Sequence, residues 1–178
     1  MRRLSLRAQT GLRQSGGALL LAIAMAATVG GALAFQHGGG YLPCALCLEQ
    51  RTPYYLGVPV ALAAFAAAKL RWPPVVARTL IGVVGLLMLW AFVLGARHAG
   101  VEWGWWPGPA DCAATGGADL TGNLLDSLDA VRPPSCSQAA LRILGLSLAG
   151  WNALIALALS LLAATSALGP GDRFAPRR

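Results

Sequence analysis

Four apolar stretches, residues 16–35, 54–68, 75–95 and 144–168, occupy almost half of this chain. Three of them reach the length of about 20 residues that an α-helix needs to cross a hydrocarbon core of about 30 Å. The second is shorter and reaches a usual length only if Arg51, Thr52 and Pro53 form its first turn. Pro53 suits that place, because a first-turn proline has no hydrogen bond to lose. Pro59 falls inside the stretch and is expected to kink it. Leu and Ala dominate the apolar content, which reads as helix rather than strand. The expectation is an all-α integral membrane protein, a four-helix bundle forming a single membrane domain over residues 1–178, with outer loops at about 36–53 and 96–143.

The charges orient the bundle. The chain is 56% hydrophobic and only 12% charged, yet its net charge is +7. Arg2, Arg3, Arg7 and Arg13 lie in the N-terminal tail, Lys69, Arg71 and Arg78 between the second and third stretches, and Arg173, Arg177 and Arg178 in the C-terminal tail. The other two loops hold only Arg51, Arg97, Arg132 and Arg142. Basic residues favour the cytoplasmic side, so both termini are expected there. The same distribution argues against a nucleic-acid partner, since no basic helix face or aromatic–basic motif appears. Ala32-Leu33-Ala34 resembles a cleavage site after a signal peptide, but the apolar stretch before it is longer than such signals use, and a retained helix is expected.

All four cysteines then face outward, the oxidising side in a bacterial cell. Cys44 and Cys47 form a C-x2-C pair just before the second stretch, whereas 23 residues separate Cys112 from Cys136 in the long second loop. A dithiol at a helix N-terminus is a redox arrangement, because the partial positive charge there stabilises a thiolate. With the helix starting near residues 49–51, Cys47 is the better placed of the two. Arg51 lies four residues beyond it, on the same face, able to stabilise a thiolate or polarise the oxygen of a bound acceptor. The alternative for Arg51 is a lipid-headgroup anchor.

A four-thiolate zinc site is a second reading of the cysteines, although zinc usually takes two close pairs and one of these is split. Cys112 and Cys136 also suit a structural staple, whose closed loop would restrict the unfolded chain by about 3 kcal/mol. The surrounding Gly108, Pro109, Gly116, Gly117, Gly122, Pro133 and Pro134 favour reach over rigidity.

His98 and Glu102 follow the third stretch four residues apart and share a face if the helix continues. A histidine there is either a proton carrier or an interfacial polar residue. Trp103, Trp105 and Trp106 fit the membrane interface. Leu120, Leu124, Leu128 and Val131 recur at helical spacing, which predicts a short amphipathic helix lying on the membrane surface.

The motif Pro43-Cys44-Ala45-Leu46-Cys47 followed by Arg51, the preceding Phe35-Gln36-His37, and the second pair in the long loop resemble the DsbB-type disulfide bond formation proteins of bacterial inner membranes. The resemblance covers residues 17 to 165. It implies a thiol–disulfide oxidoreductase that reoxidises a periplasmic DsbA-like protein and passes the electrons to a membrane quinone, ubiquinone or menaquinone. It implies that Cys112 forms the mixed disulfide with the partner, that Cys136 then exchanges with Cys44, and that Cys47 faces the quinone beside Arg51. His98 would take up or release protons there. The chain departs from the family pattern at Gln50, where some members carry an acidic residue, and at Glu49, where others carry aromatic or apolar ones.

Vitamin K epoxide reductases share the C-x2-C and the loop pair but carry the former in the last helix. A membrane scaffold with two structural disulfides is the non-catalytic alternative.

Overall fold

The structure is a computed structural model that describes residues 10–109 and 136–169. The chain forms helices α1 (Leu12–His37), α2 (Ala45–Glu49), α3 (Thr52–Lys69) and α4 (Pro74–Glu102), a hairpin of strands β1 (Arg142–Ile143) and β2 (Leu146–Ser147), and helix α5 (Leu148–Leu168). Cys112 and the expected amphipathic helix at residues 119–131 lie outside the described residues.

α1, α4 and α5 are each long and apolar enough to cross a membrane. α3 is shorter, with 18 residues, Pro53 in its first turn and Pro59 inside it. Packing inverts the pattern of a water-soluble protein. The buried faces are rich in small residues, among them Ala18, Ala22, Ala61, Ala64, Ala91, Ala156 and Ala163, with Leu21, Met25, Ile81 and Met88 filling the gaps. Large side chains point outward: Leu86 is 68% exposed, Leu161 59% and Ile23 57%. Water would penalise that surface, but lipid does not, and small residues let helix backbones approach closely.

α4 and α5 show this best. A methyl group added at Gly95 would lie 3.0 Å from the backbone nitrogen of Ala153, and one at Gly85 would lie 3.2 Å from the Cβ of Ala163. Ser160 Oγ also donates to the Gly85 carbonyl at 3.1 Å. Gly95→Ile is therefore expected to destabilise the fold by about 2 kcal/mol through overpacking against backbone that has little room to yield. Reversible unfolding in mixed micelles checks this, with Gly82→Ile, at a site with open space around it, as the control.

At the end of the molecule where α4 begins, buried Arg78 donates through Nη1 to the carbonyls of Ala167 and Gly169, at 2.6 and 2.9 Å. This satisfies carbonyls that the end of α5 leaves without helical partners. The opposite end gathers the C-termini of α1 and α4 with the N-termini of α3 and α5.

Two extents differ most from the sequence expectation. α4 continues seven residues past position 95, which places His98 and Glu102 on helix. Residues 144–147 are a turn and strand rather than the start of the last helix. Leu144 and Gly145 both have positive φ, 52° and 82°, as a tight two-residue hairpin turn requires. Ser147 then starts α5, its hydroxyl oxygen accepting from Gly150 N at 3.2 Å. The described residues are thus mostly helical, as expected of an all-α membrane protein, with one small hairpin among them.

Candidate functional site

Cys44 and Cys47 are joined in a disulfide. Cys44 is the N-cap of α2, and its sulfur accepts the backbone N–H of Cys47 at 3.2 Å. This corrects the expectation that Cys47 is the better placed of the two. The second span does begin close to residue 51, with Arg51 as the N-cap of α3, but a separate short helix precedes it, and the capping sulfur there is that of Cys44, not Cys47. A turn at Gln50 and Arg51 separates α2 from α3.

Cys136, more than thirty residues beyond α4 in sequence, comes to the same place. It is buried, disulfide-bonded, and part of one apolar cluster with Cys44, Leu46 and Val101, against which Cys47 packs. The imidazole of His98 links these groups. Its Nε2 lies 3.8 Å from Cys44 Sγ and 3.8 Å from Glu102 Oε1, and the backbone of Cys136 hydrogen-bonds the same ring. The Glu102 side chain is only 5% exposed, and its Oε2 has no hydrogen-bond partner among the described residues.

A cavity of about 330 Å³, lined by both cysteines of the disulfide, opens between α1 and α5. That is within the range of small-molecule sites. Phe35, Leu42, Trp151 and Ile155 supply apolar wall, and Cys47, Arg51 and His98 supply chemistry. Arg51 Nη1 donates to Gln36 Oε1 on α1 at 2.6 Å, so the guanidinium is held across the cavity rather than extended to a headgroup.

The structure thus brings together five of the six residues singled out from sequence: Cys44, Cys47, Cys136, Arg51 and His98. The sixth, Cys112, lies outside the described residues. Sequence reasoning missed a chain of amides behind His98. Gln50 Nε2 lies 2.6 Å from His98 Nδ1, Asn152 Nδ2 donates to Gln50 Oε1 at 2.7 Å, and the Tyr54 hydroxyl donates to Asn152 Oδ1 at 2.6 Å. Asn152 did carry a signal, as a polar residue inside an apolar span.

The two sulfurs of the pair and His98 Nε2 lie within 4.8 Å of one another, a spacing that suits a metal ion. The sulfurs are bonded to each other, however, and a ligating thiolate is available only after reduction.

What the arrangement offers is a relay. A buried second disulfide cysteine meets Cys44, and Cys47 borders a mostly apolar cavity with a fixed guanidinium. The family model described as "Disulfide bond formation protein DsbB" matches residues 14–166. No curated protein and no solved structure matches the chain.

Proposed function

The chain belongs to the DsbB family of disulfide bond formation proteins, membrane disulfide oxidoreductases, and from that premise we propose that it reoxidises a DsbA-type periplasmic dithiol protein and delivers the electrons to a membrane quinone. The four long helices all cross the inner membrane in this reading, α3 included, with both termini cytoplasmic and the cysteine loops periplasmic. The observation that carries it is the position of the Cys44–Cys47 disulfide, which shares one cluster with Cys136 and also lines the cavity.

The sequence of exchanges is conservative. A thiolate of the partner attacks Cys112, forming a mixed disulfide and releasing Cys136 as a thiolate. The second partner thiolate resolves that bond and leaves the partner oxidised. Cys136 attacks Cys44 Sγ, the Cys44–Cys47 bond breaks, and Cys47 takes the electron pair as a thiolate at the cavity wall. Attack in line with the bond requires the incoming sulfur on the Cys44 side, and the shared apolar cluster of Cys136 and Cys44 supports that order. The Cys112 thiolate then attacks Cys136, which restores the outer disulfide and releases Cys44 as a thiolate. A quinone held in the cavity would accept the two electrons and two protons of the Cys44 and Cys47 dithiol, whose disulfide re-forms. Arg51 would hold its ring oxygen, and Phe35, Trp151 and Ile155 its apolar body. Over one cycle a dithiol and a quinone become a disulfide and a hydroquinone, and both cysteine pairs return to the oxidised state.

Cys136→Ala tests the route. With no Cys136 to displace, Cys112 is expected to accumulate in a covalent complex with an oxidised DsbA-type protein, visible on a non-reducing gel and lost on reduction. A scaffold with structural disulfides gives no such adduct.

A further inference from the structure

The amide chain behind His98 has a direction, and the direction sets the protonation of the ring. The hydroxyl of buried Tyr54 donates to Asn152 Oδ1 at 2.6 Å. A hydroxyl can also accept, so the fixed point is the Leu46 carbonyl, which can only accept: with the Gln50 nitrogen turned to it, Gln50 Oε1 is left to accept from Asn152 Nδ2 at 2.7 Å. The Gln50 nitrogen is then turned both to the Leu46 carbonyl, at 3.2 Å, and to His98 Nδ1, at 2.6 Å. An N–H aimed at Nδ1 needs a lone pair there, so a neutral ring carries its proton on Nε2. The other side of the ring agrees independently. Cys44 Sγ, Glu102 Oε1 and the backbone of Cys136 surround it, and the first two are acceptors 3.8 Å from Nε2. With the amides reversed, Gln50 Oε1 would face the Leu46 carbonyl oxygen, and an Nε2 lone pair would face sulfur and carboxylate.

We propose that Gln50, held by the Leu46 carbonyl and by Asn152, is a positioning residue which dictates that His98 holds its proton on Nε2, so that an N–H rather than a lone pair faces the Cys44 sulfur. Cys44 then has two N–H donors, the imidazole and the backbone of Cys47. Hydrogen bonds to an anionic acceptor are stronger than those to a neutral one, so the pair favours the state in which Cys44 leaves as a thiolate when its bond to Cys136 breaks. That use of the donors rests on the proposed relay. The tautomer itself does not.

The test reads the ring directly, on the oxidised full-length protein in lipid nanodiscs, with neither partner nor quinone present. His37 and His98 are the two histidines of the chain. In a His37→Asn background, isotope-labelled histidine reports His98 alone, and its imidazole ¹⁵N and ¹³Cδ2 shifts distinguish the tautomers. The parent is expected to show the Nε2–H form only. Asn152→Leu frees the Gln50 amide to turn and should populate the Nδ1–H form. Tyr54→Phe should move the population the same way but less, and serves if the Asn152 variant fails to fold. Gln50→Glu sets an acceptor against Nδ1 and should protonate it. Nδ1–H in the parent, or an unchanged Nε2–H spectrum in the Asn152 and Gln50 variants, overturns the proposal. Full turnover in a variant whose tautomer has shifted would remove its link to exchange while leaving the quinone reading intact.

Discussion

Cys47→Ser is expected to bring quinone-dependent turnover down to background while leaving one exchange with the partner intact. Without Cys47, Cys44 has no disulfide for Cys136 to attack, and no thiolate forms at the cavity wall. The outer pair still accepts one dithiol, so a single equivalent of partner is oxidised and the reaction stops. Stopped-flow mixing with a reduced partner checks both halves, as a burst of one equivalent with no hydroquinone. Hydroquinone formation at the parent rate would remove Cys47 from the route. Serine is close to cysteine in size and Cys47 is only partly buried, so loss of fold is not the expected cause of the defect.

Arg51→Ala has the next largest expected effect, read in the quinone dependence rather than in the exchange with the partner. A hydrogen bond to a charged group contributes about 1.5–3 kcal/mol, and 1.4 kcal/mol is about tenfold in affinity. KM for quinone is therefore expected to rise by about tenfold or more, with the burst of partner oxidation unchanged. The guanidinium also holds Gln36 on α1 at 2.6 Å, so Gln36→Leu separates the two roles. It frees Arg51 without removing its charge, and KM should move less. An unaltered quinone dependence in Arg51→Ala would leave the residue only its link to α1.

Much of this was legible in the sequence because lipid imposes simple rules. Long apolar runs marked helices α1, α4 and α5, and Pro53 marked the first turn of α3. The cysteine pattern with Arg51 marked the reactive end and the family. The errors have physical causes. Residues 144–147 of the hairpin were absorbed into the last span because Leu144 and Leu146 are as apolar as a helix would be, and only Gly145 hinted at a turn. The short helix α2 ahead of the second span was not foreseen because a cysteine sulfur acts as its N-cap, a role usually given to oxygen side chains. Asn152 lies about one hundred residues from Gln50 in sequence, so no local pattern could pair them. Gln50 registered only as a departure from the family, whereas its amide bridges Asn152 to the imidazole. The meeting of Cys136 with Cys44 is likewise tertiary, set by the packing of α4 against the segment that precedes the hairpin.

The most direct measurement is anaerobic electron counting with the purified chain in lipid, a reduced DsbA-type protein and a short-chain quinone. The account predicts one hydroquinone for each partner disulfide formed, through many cycles, with hydroquinone lost and partner oxidation cut to a single equivalent when Cys44 or Cys47 is replaced. Partner oxidation beyond one equivalent without matching hydroquinone, or hydroquinone that persists after the Cys44–Cys47 pair is gone, would contradict it.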